Sequence, residues 1–346
     1  MVSTTQLFLI FSTMLGTLIT LTSNHWFLAW IGLEINTLAF IPLISMKQHP
    51  RAIEAAIKYI LAQATASAVI LFSASIQALD SGEWYILDTP PSMAIPLSLA
   101  LCMKLGLAPF HSWYTDVLQG IPLTLGLILS TWQKIAPMTL LIQISNSTNF
   151  TIMTTLGVLS ILIGGWGGIN QTQLRKILAY SSIAHMGWLV TILKLNPPLT
   201  LFAFIIYLTL TLALFLNTMT LSMTTLTQFS MAWSKSPALT IIMLLTILST
   251  AGMPPLTGFT PKLLISLELV KTSPLLIGLM FLISLLSLYF YLRLIYTIIL
   301  TIPPLTSPHT NAWRPMQKIS PMISVINTLA VMFLPLTPTI TAITLI

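Results

Sequence analysis

Charge is what this sequence has least of. Only 6% of its 346 residues are Asp, Glu, Lys or Arg, against about 25% in a soluble globular domain. With 55% hydrophobic residues, the chain cannot cover a water-facing surface, and the bilayer is the solvent that tolerates such a composition. Cysteine is almost missing as well. Cys102 stands alone, which excludes a disulfide framework and any cysteine-ligated iron–sulfur cluster inside this chain. The five histidines, His25, His49, His111, His185 and His309, show no close pairing of zinc-site type, so no metal site is expected. Basic runs are absent too. The formal net charge of +7 comes from 14 Lys+Arg against 7 Asp+Glu scattered along the chain, so it is read through membrane orientation rather than as a nucleic-acid patch. There is no glycine-rich fingerprint after a strand. The run GGWGG at 164–168 lies within an apolar stretch, where close helix packing explains it better than phosphate binding. The N-terminal MVSTTQLFLIFSTMLG lacks the basic residues of a signal or transit peptide, so its apolar run is expected to be a retained span.

What the chain does have is apolar runs of spanning length separated by short polar or proline-rich joints. They are expected near 3–21, 25–45, 52–78, 93–119, 123–145, 149–168, 174–194, 198–222, 237–268, 274–300 and 322–344. The fold class is therefore an all-α polytopic membrane protein of about eleven transmembrane helices, in a single domain over 1–346. Joints after an even number of spans carry Lys47, Arg51, Arg175, Lys176, Lys235, Arg314 and Lys318. Joints after an odd number carry only Lys194 and Lys271. By the positive-inside rule the N-terminus lies inside and the C-terminus outside.

A few ionisable residues sit deep within the runs. Lys104 and Lys134 are each eleven residues into their spans, about 16 Å along a helix and near the centre of a hydrocarbon layer of about 30 Å. His185 lies at the same depth in the seventh span, Glu34 lies nine residues into the second, and Lys262 follows the prolines of the ninth. Snorkelling to the headgroups suits Lys47, Lys58, Lys194 and Lys271, but it does not reach from mid-span. A buried Glu–Lys pair can also serve only to fix helix packing. Charges at such depth usually mark an ion or proton path. A lysine held between burial and a neighbouring carboxylate can change its proton when the partner changes, and histidine needs still less tuning. Three lysines among these five residues make a poor site for a bare cation.

Two spans are interrupted. KLGLAPFHSWYTDV and TAGMPPLTGFTPKLL each break at proline with a lysine close by, and Pro109, His111, Pro254 and Pro255 are expected to line the path. The two lie five spans apart, an odd offset that reverses direction. This points to inverted repeats over about 1–145 and 149–300, followed by a C-terminal helix over 322–344. Broken helices free backbone carbonyls to line a hydrated cavity. Other residues invite milder readings. Glu54 and Lys58 form an i,i+4 helix-end pair. Asp116 is expected to end the broken fourth helix near the inner face. Arg293, Tyr289, Tyr291 and Tyr296 look interfacial or partner-facing. Ser181 and Ser182 either bond water near His185 or back-bond the helix.

The segments WIGLEINTLAFIPLI, KYILAQATASA, KLGLAPFHSWYTDVLQG, TWQKIAP, GGWGGINQTQLRKILAYSSIAHMGW and GMPPLTGFTPK resemble the subunit 2 family of the mitochondrial NADH:ubiquinone oxidoreductase, respiratory complex I, in its vertebrate form. The resemblance runs over nearly the whole chain. It implies an antiporter-like bundle of inverted five-helix repeats with two broken helices, lacking three N-terminal helices of bacterial relatives. It implies that Glu34 pairs with Lys104, and that Lys134 relays protons toward His185 and Lys262. It further implies the mitochondrial inner membrane, and as partners other complex I membrane-arm subunits, both antiporter-like and accessory, together with inner-membrane lipids. NADH, flavin, iron–sulfur clusters and ubiquinone would belong to partner subunits, with no cofactor in this chain. The residues by themselves leave three readings open: a proton-translocating subunit, a stand-alone cation/proton antiporter, and a scaffold whose buried charges only order helices.

Overall fold

The computed structural model describes residues 4–46, 49–300, 321–339 and 342. Lys47, Arg314 and Lys318, which contribute to the orientation argument, lie outside the described residues.

Among the described residues the regular structure is almost all helix, with two isolated β-bridges, His25 to Tyr85 and Gln173 to Thr225. The helices are α1 (Thr4–Thr22), α2 (Trp26–Ser45), α3 (Pro50–Ser81), α4 (Pro91–Leu105), α5 (Ser112–Gly120), α6 (Leu123–Ser130), α7 (Trp132–Gln143), α8 (Phe150–Gly168), α9 (Leu174–Ile192), α10 (Pro197–Thr220), α11 (Leu226–Ser230), α12 (Ala232–Lys235), α13 (Pro237–Ala251), α14 (Phe259–Val270), α15 (Pro274–Leu300) and α16 (Pro321–Met332). Six of them open on proline. That residue has no N–H to leave unsatisfied in the first turn, and its fixed φ already suits a helix. Among the described residues, seven helices are long and apolar enough to cross a membrane, with α6 and α7 taken as one span, while α4, α13 and α16 are apolar but shorter.

Two compact units can be distinguished. The first comprises Met1–Ser160 and Leu189–Pro197, the second Ile161–Trp188 and Pro198–Ile346. In the first unit α2 packs against α1, α3 and α7, and α3 packs against α4 and α5. Glycines set the closest approach: a Cβ on Gly16 would stand 2.8 Å from the carbonyl oxygen of Gly32. The core of this unit is aromatic, with Phe40, Tyr59, Trp113 and Tyr114 meeting edge to face in succession. In the second unit a cluster including Ile177, Leu214, Phe229, Met243, Phe290 and Leu294 forms the core. The glycine-rich run at the end of α8 serves packing there, since a Cβ on Gly164 would meet the backbone of Tyr180 and Ala184 at 2.8 Å. Asn217 and Asn327, both buried, exchange amide hydrogen bonds of 2.9 and 3.0 Å and tie α10 to α16. Outer faces stay apolar: Phe8 and Phe11 on α1 and Leu282 on α15 are more than 60% exposed, as lipid or partner contact requires.

Several sequence expectations need correction. The run 123–145 is not one continuous helix but parts at Thr131 into α6 and α7. The Thr131 hydroxyl donates to the Leu127 carbonyl at 2.7 Å, a back-bond that bends helices, and Pro137 withholds a further N–H in the following turn. The last run, expected over 322–344, is interrupted: α16 stops at Met332, a 3₁₀ turn follows at Leu334–Leu336 around Pro335, helix resumes over 337–339, and 340–341 and 343–346 lie outside the described residues. Asp116 does not end a helix. It lies inside α5 and accepts from Lys58 Nζ at 2.7 Å. Lys58 likewise does not snorkel, being shared between Asp116 and Glu54, the latter at 2.8 Å. Tyr291, read as interfacial, is 3% exposed, whereas Tyr289 and Tyr296 are each 57% exposed.

Candidate functional site

The first broken helix is built by glycine before proline acts. At Gly106 the backbone turns left-handed, with φ of 74°. Its N–H bonds the Met103 carbonyl and the Leu107 N–H bonds that of Cys102, so the last turn of α4 is closed by the usual left-handed cap. The next residues, through the cis Ala108–Pro109 bond, form the non-helical link to α5. Trp113 folds back across it and donates its indole N–H to the Met103 carbonyl at 3.1 Å. The break therefore leaves Lys104 in the last turn of α4, where it is 5% exposed, with its Nζ buried and without a hydrogen-bond partner among the described residues.

Lys134 stands in the first turn of α7, just past the Thr131 break, and is 2% exposed. Its Nζ lies 4.5 Å from the centre of the Tyr114 ring, a cation–π contact. Lys104 and Lys134 line one cavity together with Tyr59, Gln63, Tyr114 and Gln133. The space open to the centre of a water molecule is about 10 Å³, room for a single water. Glu34 on α2 makes no contact ion pair with Lys104 among the described residues. Its Oε2 accepts from Thr37 at 3.3 Å. Two residues after Glu34 on α2, Asn36 accepts from the Gln133 amide at 2.8 Å, which fixes α2 beside the start of α7. Pro109 and His111 do not line this cavity. Pro109 is exposed and His111 half-buried, its Nδ1 3.3 Å from the Pro109 carbonyl.

The second broken helix repeats the cap. Gly252, with φ of 86°, ends α13, and Met253 N–H bonds the Leu248 carbonyl. Pro254 and Pro255 follow in the link and are exposed. Lys262, on α14, reaches back and donates to the Ala251 carbonyl at 2.8 Å, one of the carbonyls that a helix end leaves unpaired. His185, on α9, has its Nε2 3.4 Å from the Tyr291 hydroxyl and its ring 6.0 Å from that of Tyr207. Ser181 and Ser182 both back-bond, to Leu178 and Ala179.

Thus the first unit brings together Lys104 and Lys134, while Glu34 stays on α2 bonded to Thr37. In the second unit His185 is joined to Tyr291, and Lys262 to the end of α13. Among the described residues no three of His, Cys, Asp and Glu gather as metal ligands would. Sequence reasoning missed Tyr114, Gln133 and Tyr291. Gln133 could have been found as the polar neighbour of Lys134 at mid-span. The two tyrosines carry no such signal within apolar runs.

Comparison with known proteins supplies the family. The profile described as NADH:quinone oxidoreductase/Mrp antiporter, transmembrane, matches residues 23–287, and that of the NADH dehydrogenase subunit 2 C-terminus matches 288–341. The NADH-ubiquinone oxidoreductase chain 2 of Aquarana catesbeiana is 55% identical over 94% of this chain and 95% of its own length. That of Formosania lacustris is 53% identical over 96% and 97%. In the structure of respiratory complex I from Thermus thermophilus with bound aureothin, a chain 26% identical superposes with a TM-score of 0.82 over 99% of this chain and 78% of that one. Buried lysines beside two capped helix breaks, in a fold shared with that complex, agree with the sequence likeness: the chain belongs to the NADH-ubiquinone oxidoreductase chain 2 family, antiporter-like multi-pass membrane subunits of the proton-translocating NADH:ubiquinone oxidoreductase.

Proposed function

We propose that this chain carries protons through a mid-membrane relay made of Glu34, Lys104 and Lys134 in the first unit and His185 and Lys262 in the second. Proton movement is coupled to electron transfer from NADH to ubiquinone in partner subunits, which hold the flavin and iron–sulfur clusters. The observation that carries this reading is the cavity shared by Lys104 and Lys134. Two buried ammonium groups cannot both keep their charge cheaply beside a space for one water, so a proton on one disfavours a proton on the other. A change in the charge of Glu34 alters the balance at Lys104, and the proton passes by way of the intervening water to or from Lys134. Pro109, His111, Pro254 and Pro255 flank the two breaks and open the backbone near the path. Ser181 and Ser182 give polar support near His185.

In this reading the subunit spans the mitochondrial inner membrane about eleven times, with two inverted five-helix repeats, its N-terminus in the matrix and its C-terminus on the intermembrane-space side. The other membrane-arm subunits, antiporter-like and accessory, are its partners, and membrane lipids cover the remaining apolar faces. The test is the number of protons translocated per NADH oxidised in proteoliposomes by complex I carrying Lys104→Met. The expected result is normal assembly with translocation through this subunit reduced roughly a hundredfold or more, the scale of a lost acid–base group. An unchanged ratio in a fully assembled complex contradicts the role of Lys104.

A further inference from the structure

The placement of Tyr291 reverses its sequence reading as an interfacial residue. It lies on α15, 3% exposed, with its ring against Phe290 at 4.3 Å. Its hydroxyl stands 3.4 Å from His185 Nε2. The hydroxyls of Ser181 on α9 and Thr250 on α13 also face it. Both of those hydroxyls have already spent their protons: Ser181 donates to Leu178 at 2.8 Å and Thr250 to Ile247 at 2.8 Å. Each therefore offers Tyr291 only lone pairs. Tyr291 has one proton and three acceptors for it. Thr250 immediately precedes Ala251, whose carbonyl holds Lys262. An otherwise apolar space of about 20 Å³, room for about one water, is bounded by Tyr291, Ser181 and Thr218.

We propose that Tyr291 is the proton-passing link between His185 and the small space that Tyr291 bounds with Ser181, its hydroxyl donating to His185 when that imidazole is neutral and turning to Ser181 or Thr250 when His185 carries a second proton. Protonation turns Nε2 from acceptor to donor, so the same contact survives only if the tyrosine hydroxyl reverses. The transfer step balances within these groups and one water. The N–H bond of the imidazolium breaks, an O–H bond to Tyr291 forms, and the tyrosine's own proton leaves for a water in the adjoining space. His185 becomes neutral, the water becomes hydronium, and the phenol is unchanged. This deepens the relay reading above and rests on His185 belonging to it.

The experiment compares complex I bearing His185→Asn, Tyr291→Phe or Thr250→Val in proteoliposomes. It records proton translocation per NADH and the slowing of translocation in D₂O. Tyr291→Phe keeps the ring packed on Phe290 and removes only the hydroxyl. The expected result is a roughly five- to tenfold slower translocation, the equivalent of one hydrogen bond, with an altered deuterium effect that a structural role does not produce. Thr250→Val is expected to change the deuterium effect in the same direction by a smaller amount, which keeps the proposal testable where Tyr291→Phe fails to assemble. If His185→Asn slows translocation while Tyr291→Phe and Thr250→Val keep the parent rate and deuterium effect, the link is overturned and the relay stands. If His185→Asn itself pumps normally, the relay reading fails at His185 and the link fails with it.

Discussion

Helices α4 and α13 both stop at a glycine in the left-handed region, and both are followed by proline within three residues. They differ in where the lysine stands. Lys104 precedes its break, within the last turn of α4, and its ammonium finds no hydrogen bond among the described residues. Lys262 follows its break by ten residues and returns to bond the end of α13. One cap geometry thus serves two purposes. In the first unit it stops the helix so that an unsatisfied cation faces a one-water cavity. In the second it exposes a carbonyl that a cation satisfies. A buried ammonium without a hydrogen bond is costly, while one that donates to a helix-end carbonyl recovers part of that cost.

The comparison can be broken most severely at the glycines. Gly106→Ala forces a side chain into the left-handed region, at about 1–2 kcal/mol, and sets its Cβ 3.0 Å from Tyr114 Cβ, an atom fixed by the buried ring beside Lys134. Gly252→Ala incurs the same backbone cost, but the atoms met are the Nζ and Cδ of Lys262, at 2.9 and 3.0 Å, the flexible end of a side chain. Gly106→Ala is therefore expected to lower the yield of assembled complex severalfold. Gly252→Ala should assemble better and lose mainly the Lys262 bond. Equal losses in assembled complex on native gels contradict the difference drawn between the two sites.

The lysines sharpen it further. Lys262→Met leaves the Ala251 carbonyl without its donor and is expected to destabilise the subunit by about 1 kcal/mol. Lys104→Met removes an unsatisfied buried cation of similar length, so stability is expected to rise or stay level even as translocation falls. Resistance of the two variant complexes to dissociation by heat in mild detergent measures the sign. Destabilisation of the same size in both shows that Lys104 has a structural partner. The smallest effect is expected at Lys58→Met. Its bonds to Glu54 and Asp116 join groups 39–63% exposed, where solvent screens the gain to about 1 kcal/mol or less, and translocation should not change.

These differences also show what the sequence could tell. The breaks were legible because glycine and proline act locally, although proline was credited with an ending that glycine makes. The depth of Lys104 and Lys134 was legible because a helix rises by a fixed amount per residue. The break at Thr131 was not, since serine and threonine are common within membrane helices and reveal a back-bond only in place. Asp116 was misplaced because its partner, Lys58, lies 58 residues away, and sequence reading weighed only its position along α5. Tyr291 was misplaced for a related reason. An aromatic residue in an apolar run suits an interfacial belt as well as a core, and only the approach of α9 and α13 decides between them.

The central claim is that Lys104 and Lys134 act as one unit across their shared cavity. Its most direct test is a double-mutant comparison of translocation rate in proteoliposomes for Lys104→Met, Lys134→Met and the two together. Residues that pass one proton between them lose it once, so the double variant is expected to pump no more slowly than the worse single variant. If instead the two losses multiply, the lysines work independently, and the cavity between them carries no proton.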